Sequence, residues 1–238
     1  MYKKFKMNNQ DMNNIKHPLK VVIIGAGGFG REVLDIFDAC NQETIKYNIL
    51  GFIVEREFYK PNSIVNDKPV LGDLSWLIDH KDEVFVVCAV GEPQHRRRII
   101  QQVENIGGHF CNIVHPTAIL TRWVKMGEGT IITAGCILTN QIQIGCHVHI
   151  NLNCTVGHNS LLEDYVTLAP GVRVSGNVSI GKGCYVGTGA NIIEKKKLGE
   201  WSIVGAGSTI IKDVPANTTV TGVPGKVIKT RDEGWHLK

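Results

Sequence analysis

Large apolar residues recur at every sixth position along the second half of the chain. From Val114 to Ile210 the series has no exception. Hydrophobic residues make up 43% of the 238-residue chain, so an unbroken run of this length would arise by chance in only about one frame in a million. The series is Val114, Leu120, Met126, Ile132, Leu138, Ile144, Ile150, Val156, Leu162, Leu168, Val174, Ile180, Val186, Ile192, Leu198, Val204 and Ile210. Such a period predicts a repeat architecture.

A second inward-facing position follows four residues after each member of the series. It is mostly small or β-branched, as at Ala118, Thr130 and Val166. Three hexapeptides would form one triangular coil of about 18 residues, and one large side chain on each edge would fill its narrow interior. We therefore expect residues 113–238 to form an all-β left-handed parallel β-helix with a carboxy-terminal cap.

Three other features of the repeat region carry expectations. Cys136, Cys154 and Cys184 occupy inward positions, so packing explains them. The three lysines at 195–197 break the inner pattern and predict a local distortion, with the lysines pointing outward. Glycine often follows the large residue, where we expect a crowded or left-handed backbone. These glycines are Gly127, Gly145, Gly157, Gly181, Gly187, Gly199 and Gly205.

The region before the repeats opens with a strand, a glycine-rich loop and a helix. The sequence LKVVIIGAGGFGREVLDIF, from Leu19, gives a buried β-branched strand followed by helical spacing at Val33, Leu34 and Phe37. A glycine-rich loop at a helix start suits a phosphate or pyrophosphate, whereas the alternative is a tight turn with glycines for packing only. The loop residues that we assign to substrate binding are Gly25, Gly27, Gly28, Phe29 and Gly30.

The amino-terminal region is too short for a complete dinucleotide fold. About 85 residues follow the loop before the repeats begin, which suits a Rossmann-like half domain and a mononucleotide. Residues 49–54 and 84–90 indicate two further buried parallel strands, and residues 75–80 and 96–103 indicate helices. Ligands of such sheets gather beyond the carboxyl ends of the strands, where we expect the glycine loop, Glu55 and Gly91. Arg96 would reach this crevice or belong to a solvated helix face.

Composition narrows the class of protein. Seven cysteines without a CxxC pair argue against a disulfide framework and a zinc knuckle. A net charge of +4 without a basic stripe argues against nucleic acid as a partner. No apolar run approaches the roughly 20 residues of a membrane span, so we expect no membrane insertion and a cytoplasmic location. We interpret residues 1–18 as a flexible tail and residues 19–112 as a Rossmann-like α/β half domain that suits a mononucleotide.

Several stretches resemble hexapeptide-repeat acyltransferases, in particular the family of the bacillosamine-pathway sugar N-acetyltransferase and the sialic acid O-acetyltransferases. The matching segments are VVIIGAGGFGREVLDI, AVGEPQHRR, INLNCTVGHNSLLEDYVTLAPGV, SGNVSIGKGCYVGTGANI and SIVGAGSTIIKDVPANTTVTGVPGKVIK. The resemblance implies an amino-terminal domain that holds a nucleotide sugar. It also implies a homotrimer with acetyl-CoA, the acetyl donor, bound between neighbouring subunits.

The resemblance makes His158, in VGHNS, the general base. A neutral imidazole can take the proton from a sugar amine or hydroxyl that attacks a thioester, without a covalent acyl-enzyme. An 18-residue coil stacks His158 with Asn140, which we assign to the substrate site, and with Gly176. The family pattern has a carboxylate where this chain has Asn159, whose amide oxygen can still hold the ring. The alternative is a structural corner histidine.

The other histidines carry no predicted chemistry. His115 precedes Pro116 at the first coil and is interpreted as a junction residue, and we expect His147 and His149 to face solvent. Carbonic anhydrases of the β-helix type bind zinc through three histidines. No convincing ligand set exists here, and we expect no metal.

The resemblance also indicates where acetyl-CoA would bind. The positions that contact acetyl-CoA in the family correspond to Thr167, Thr188 and Ala206. Thr188 and Ala206 are 18 residues apart, and the same spacing adds Pro170, so that Pro170, Thr188 and Ala206 would form one wall of the site. Gly187 and Gly205 would allow close approach of the backbone. The closing GVPGK segment resembles a cap over the adenine, and its predicted cofactor-binding residues are Gly222, Pro224 and Lys226.

The predicted function is therefore transfer of an acetyl group to an amino sugar that is linked to a nucleotide. We expect this nucleotide to be UDP. Two alternatives stay open at this point: O-acetylation of a sugar such as sialic acid, and a non-catalytic scaffold that binds a nucleotide sugar. The nucleotide is open as well. The family has an acidic pair after the second strand, whereas this chain has Val54 and Glu55, so dTDP and GDP compete with UDP.

Overall fold

The computed structural model describes residues 17–237, so the predicted tail at 1–18 lies, except for its last two residues, outside the described residues. The chain divides into two compact units. The first contains the residues up to Val90 together with Ile99–Ile113, and the second contains Gly91–Arg98 together with Val114–Lys238. The grouping of Gly91–Arg98 with the repeats is not visible in the sequence pattern.

The first unit is built on one six-stranded sheet. Its strands are β1 (Leu19–Ile24), β2 (Tyr47–Ile53), β3 (Ile64–Val65), β4 (Lys68–Gly72), β5 (Phe85–Cys88) and β6 (His109–Phe110). They lie in the order β3-β4-β2-β1-β5-β6, and all neighbours are parallel except the β3–β4 hairpin. The parallel arrangement of the three predicted strands is confirmed, whereas the hairpin and the short β6 are additional.

Within residues 17–237 the chain forms three α-helices: α1 (Gly28–Cys40), α2 (Trp76–His80) and α3 (Pro93–Ile106). Helix α1 buries Val33, Leu34, Ile36 and Phe37, a spacing that places all four on one face. Helix α3 begins three residues before the predicted position, because Pro93 suits the first turn of a helix, where its missing N–H costs no hydrogen bond.

The second unit is a left-handed parallel β-helix, as the period predicts. The last residue of each two-residue strand is the large apolar member of the series, and parallel pairing joins residues 18 apart, such as Ile132 and Ile150. The strands are β7 (Ile113–Val114), β8 (Ile119–Leu120), β9 (Lys125–Met126), β10 (Ile131–Ile132), β11 (Ile137–Leu138), β12 (Gln143–Ile144), β13 (His149–Ile150), β14 (Thr155–Val156), β15 (Leu161–Leu162), β16 (Thr167–Leu168), β17 (Arg173–Val174), β18 (Ser179–Ile180), β19 (Tyr185–Val186), β20 (Asn191–Ile192), β21 (Lys197–Leu198), β22 (Ile203–Val204) and β23 (Thr209–Ile210).

The strands form three sheets, one for each side of the coil. Their orders are β25-β24-β22-β19-β16-β13-β10-β7, β23-β20-β17-β14-β11-β8 and β21-β18-β15-β12-β9, where β24 (Thr218–Thr221) and β25 (Lys226–Thr230) form the terminal hairpin. The interior is one continuous apolar column that includes Cys136, Cys154 and Cys184, all fully buried. The packing role predicted for these cysteines is confirmed.

From Met126 to Val204, the corners of the coil have a left-handed residue three positions after each large apolar residue. Examples are Gly135 with φ +71°, Asn159 with φ +60° and Lys195 with φ +61°. The glycines directly after the large residue serve close packing instead. A Cβ at Gly127 would lie 2.6 Å from the backbone nitrogen of Cys146 in the next coil. Of the two expectations for these glycines, crowding is confirmed and a left-handed backbone is wrong.

The distortion predicted at the three lysines is also wrong. Ser179 pairs with Lys197 in the regular register, and the Ser179 N–H donates to the Lys196 carbonyl at 2.9 Å. Lys195 occupies an ordinary left-handed corner, and Lys195 and Lys197 point outward as expected. The coil keeps its regular geometry at the lysines because the hydrogen bonds between coils join backbone atoms and do not depend on the inward side chain.

Candidate active site

The corner after β14 carries His158 and Asn159, and neighbouring coils fix its backbone. The Asn159 N–H donates to the Asn140 carbonyl at 3.0 Å, and the Asn177 N–H donates to the His158 carbonyl at 2.8 Å. These bonds confirm the predicted stacking of His158 between the coils of Asn140 and Gly176. Both side chains at the corner are exposed.

The His158 ring is oriented by its neighbour in sequence. Nδ1 of His158 lies 2.8 Å from Oδ1 of Asn159. An amide oxygen can only accept a hydrogen bond, so Nδ1 carries a proton, and in the neutral ring Nε2 is the nitrogen with the free lone pair. The amide nitrogen of Asn159 in turn donates to Oε1 of Gln141 at 3.0 Å. The sequence analysis assigns no role to Gln141, although its position 18 residues before Asn159 places it at the same corner of the preceding coil.

Glycine makes room for the ring in the next coil. A Cβ built on Gly176 would lie 2.7 Å from Nε2 of His158 and 2.9 Å from Cε1. Gly157 is equally tight, since its Cβ would lie 2.5 Å from the backbone nitrogen of Gly176. The two glycines therefore let the imidazole lie against the backbone of the following coil.

A cavity of about 360 Å³ lies beside the amide of Asn159. Its walls come from successive coils and include Trp123, Lys125, Gln141, Gln143 and Leu161. The Trp123 ring is half exposed and has the Arg122 guanidinium 4.9 Å from its centre. The cavity combines an aromatic face with amide groups, one of which, that of Asn159, contacts the imidazole of His158.

The other histidines of the β-helix are unlike His158. The expectation that His147 and His149 face solvent is wrong, because both are buried. His147 stacks on Tyr165 with ring centres 5.6 Å apart, and burial together with the Arg96 charge lowers its pKa to about 3. His115 is half-buried between β7 and β8, and its ring bonds to the Thr117 hydroxyl at 2.8 Å.

Arg96 is completely buried, so its assignment to a solvated helix face is wrong. Its guanidinium donates to the carbonyls of Gly91 at 3.0 Å and Tyr165 at 2.7 Å, and to the Thr167 hydroxyl at 3.0 Å. A further 3.0 Å contact joins it to Nδ1 of His149. Local sequence could not reveal the contacts of Arg96 with His149, Tyr165 and Thr167, because they join residues 53 to 71 positions apart.

Thr167 and Gly91 therefore have partners within the chain. The Thr167 hydroxyl, 2% exposed, donates to the Gly91 carbonyl at 2.9 Å in addition to accepting from Arg96. These contacts hold the Gly91 backbone on the β16 face of the β-helix. The cofactor and substrate roles of the two residues stay predictions.

The column predicted to hold acetyl-CoA is an exposed ridge on successive coils. Pro170, Thr188 and Ala206 are all exposed, and Leu152 extends the column by one coil. Beside it runs a strip of corner glycines with left-handed backbone: Gly171, Gly189 and Gly207. A Cβ at Gly189 or Gly207 would meet no atom within 4 Å, so the strip is open to an elongated ligand. The sequence shows the 18-residue spacing of these glycines, but the sequence analysis does not predict that they line a binding site.

Gly187 and Gly205 have a packing role inside the chain. A Cβ at Gly187 would lie 2.6 Å from the Ala206 backbone nitrogen, and one at Gly205 would lie 2.6 Å from Cγ2 of Thr221. The cap residues Gly222, Pro224 and Lys226 are exposed at the turn between β24 and β25. Their contact with a cofactor stays a prediction.

The glycine loop of the first unit contains glycines of two kinds. Gly25 has φ +100°, and a Cβ on Gly30 would collide with the Gly25 carbonyl, so conformation and packing explain both. A Cβ on Gly27 or Gly28 would meet nothing within 4 Å. Packing therefore does not explain why Gly27 and Gly28 are glycines. Their lack of side chains leaves open space over the start of α1, and the backbone N–H groups of a helix start suit an anion.

The carboxyl end of β2 lies at the same edge of the sheet as this loop. The Gly25 N–H donates to the Ile53 carbonyl at 2.8 Å, and Glu55 follows two residues later. Glu55 is half-buried, whereas Val54 is buried. One carboxylate thus stands near the glycine loop within the first unit.

Membrane spans and metal clusters are both absent from residues 17–237. None of the helices in this range is both long and apolar enough to cross a membrane. Within the same range, no three histidine, cysteine or acidic side chains come together in a way that could hold a metal ion.

Comparison with known proteins identifies the family. Residues 20–103 match the PglD N-terminal domain family. The chain is 30% identical over 214 residues to GDP-perosamine N-acetyltransferase of Escherichia coli O157:H7, and this match covers 87% of this chain and 95% of that protein. The chain belongs to the hexapeptide-repeat sugar N-acetyltransferases.

Solved structures of this family have the same fold. PerB from Caulobacter crescentus, in complex with CoA and GDP-perosamine, has a TM-score of 0.80 at 28% identity, with 88% of this chain and 97% of PerB covered. The acetyltransferase domain of PglB from Neisseria gonorrhoeae, in complex with acetyl coenzyme A, has a TM-score of 0.80 at 28% identity, with coverage of 89% and 100%. Members of the sugar N-acetyltransferase family thus match both units of the chain.

Proposed function

We propose that the chain transfers the acetyl group of acetyl-CoA to the amine of a nucleotide-linked sugar, with His158 as the general base. The observation that carries the proposal is the bond between Nδ1 of His158 and the amide oxygen of Asn159. In the neutral ring this bond leaves the lone pair on Nε2 of an exposed side chain, and such a nitrogen is what a proton acceptor needs.

The chemistry follows from this tautomer. Nε2 of His158 accepts the proton as the sugar nitrogen attacks the thioester carbonyl, and the ring can return that proton to the departing thiolate. Asn159 accepts from Nδ1 throughout and stabilises the imidazolium that forms. No side chain has to become acylated, because the attack is direct.

The ridge of Pro170, Thr188 and Ala206 supports an acetyl-CoA site. An extended cofactor can lie along successive coils, and the neighbouring glycine strip presents backbone without side chains. Acetyl-CoA supplies the acyl group as a thioester. Lys226, exposed at the cap, is suited to a phosphate. We also propose a cytoplasmic homotrimer with this site between subunits, and light scattering of the purified protein tests the trimeric state.

For the nucleotide we favour GDP over the UDP that the family resemblance first indicated. A single carboxylate can accept from both the N1–H and the N2–H₂ of guanine, whereas uracil offers one N–H between two carbonyl oxygens. Glu55 is the carboxylate that follows β2, and Val54 is buried. GDP-perosamine is also the sugar nucleotide named for PerB and for the Escherichia coli relative.

One experiment tests acceptor and nucleotide together. Purified protein and acetyl-CoA are incubated with GDP-, UDP- and dTDP-linked sugars that carry either an amine or a hydroxyl at the same ring position, and thiol release is followed. We expect turnover with the GDP-linked amine. Faster transfer to the hydroxyl sugar would support O-acetylation instead, and binding without turnover would support a scaffold.

A further inference from the structure

An asparagine beside a catalytic imidazole has an ambiguity that a carboxylate lacks. The oxygen and the NH₂ of its amide have nearly the same shape, and either can face Nδ1 of His158. With the oxygen inward, Nδ1 carries the proton and Nε2 is a base. With the NH₂ inward, Nδ1 must accept, the ring proton moves to Nε2, and Nε2 can no longer take a proton from a substrate.

The group that meets the other side of this amide is Gln141. Gln141 and Asn159 occupy the left-handed corner of successive coils, with φ +52° and +60°, so their side chains leave the backbone in parallel. Oε1 of Gln141 accepts from Nδ2 of Asn159 at 3.0 Å. With the Gln141 oxygen on this side, the two amides are matched as donor and acceptor while the Asn159 oxygen faces His158.

We propose that Gln141 is a positioning residue that sets the orientation of the Asn159 amide and, through it, the tautomer of His158. The inference rests on the proposed role of His158 as base. It extends the site by one coil, in a chain where an uncharged residue stands at the position of the family's carboxylate.

The proposal predicts opposite effects for two substitutions of similar length. Gln141→Glu presents an acceptor that cannot become a donor when ionised, so it holds the Asn159 oxygen on His158 and keeps or raises kcat. Gln141→Lys presents only donors, so it attracts the Asn159 oxygen and turns the NH₂ toward His158. We expect kcat to fall by at least about tenfold, within the range that general-base catalysis contributes.

Both substitutions are compatible with the fold. Gln141 is exposed, and lysine already occupies the equivalent corner two coils beyond Asn159, at Lys195 with φ +61°. Gln102→Lys is a matched control, because Gln102 is exposed on α3 and belongs to none of the sites described above. It adds the same charge, and we expect a change in kcat below about twofold.

A second background separates orientation from other effects of the charge. In Asn159→Asp both side-chain oxygens accept, so one can face His158 while the other faces the lysine that Gln141→Lys introduces. The fold-loss caused by Gln141→Lys should therefore be several times smaller when it is combined with Asn159→Asp than when it is made in the wild-type chain. Equal losses in the two backgrounds would overturn the proposal.

The direct measurement is the tautomer itself. Nitrogen-15 chemical shifts of the imidazole in histidine-labelled protein, assigned with the His158→Ala variant, distinguish Nδ1–H from Nε2–H. We expect Nδ1–H in the wild type and in Gln141→Glu, and Nε2–H in Gln141→Lys. An unchanged tautomer in Gln141→Lys would contradict the positioning role even if His158 is the base. A changed tautomer with unchanged kcat would instead contradict the base assignment and leave the positioning role standing.

Discussion

Oδ1 of Asn159 lies 2.8 Å from Nδ1 of His158, and this contact assigns the ring proton to Nδ1. In the proposed mechanism this neutral amide orients the ring in the way that a carboxylate could. It does not supply the negative charge that would stabilise an imidazolium more strongly.

Asn159→Asp restores that charge and tests what it contributes. A carboxylate accepts from Nδ1 in the same geometry, so we expect kcat/KM to stay at the wild-type level or to rise up to about tenfold. Steady-state kinetics with the preferred acceptor measures it. A loss of several orders of magnitude would show that the Asn159 amide NH₂ has a role beyond its bond to Gln141.

Gly176→Ala tests the space around the ring. The added methyl would lie 2.7 Å from Nε2 of His158, and Gly176 has no left-handed backbone to forbid alanine. The ring must turn away, so we expect kcat to fall about tenfold or more while the Kd for CoA, measured by calorimetry, stays the same. Ser175→Ala, an exposed neighbour, is the control. Full activity in Gly176→Ala would show that the ring position is not critical.

Ala206→Phe tests the acetyl-CoA ridge. Ala206 is exposed, so a larger side chain would not disturb the core but would obstruct a ligand along Pro170 and Thr188. We expect the Kd for CoA to rise at least about tenfold, with nucleotide-sugar binding unchanged. The matched control is Ala216→Phe, at an exposed position outside the ridge. Equal CoA affinity in both variants would place the cofactor elsewhere.

Burial of His147 makes the stability of the fold depend on pH. Its pKa is about 3 in the folded chain, because of burial and then the Arg96 charge, and about 6.5 in the unfolded chain. Between these values the unfolded chain binds a proton that the folded chain does not. The free energy of unfolding therefore falls as pH decreases from about 6.5 toward 3, by up to about 1.4 kcal/mol per pH unit from this group.

Denaturant unfolding at several pH values and one protein concentration measures this dependence. The slope of the unfolding free energy against pH gives the number of protons taken up on unfolding. In His147→Gln this number should be smaller by close to one, although the substitution also removes the stacking on Tyr165. His109→Gln, at an exposed position, serves as the comparison. The same slope in all three proteins would contradict a neutral buried His147.

The repeat period predicted the β-helix well because it reports a local property. Each large apolar residue occupies the second position of its strand, and the 18-residue register follows by counting. The same counting leads from Asn159 to Gln141 and from Gly171 to Gly189 and Gly207. These residues were missed although the period already contained their positions.

Other features could not be read from a local pattern. His149 is the first residue of β13 and alternation directs it outward, but Arg96 contacts it at 3.0 Å. The sequence shows three adjacent arginines and gives no sign that only the first is buried under Gly91 and Thr167. Burial of this kind depends on contacts between chain segments that lie far apart in sequence.

The most direct test of the central claim is acetyl transfer by His158→Ala. The variant should keep the wild-type circular dichroism spectrum, oligomeric state and Kd for CoA, because His158 is an exposed corner residue. We expect its kcat/KM with the preferred amino-sugar acceptor to fall by about 10² to 10⁴, and that of the control His109→Ala to stay within about twofold. Wild-type turnover by a folded His158→Ala enzyme would contradict the account.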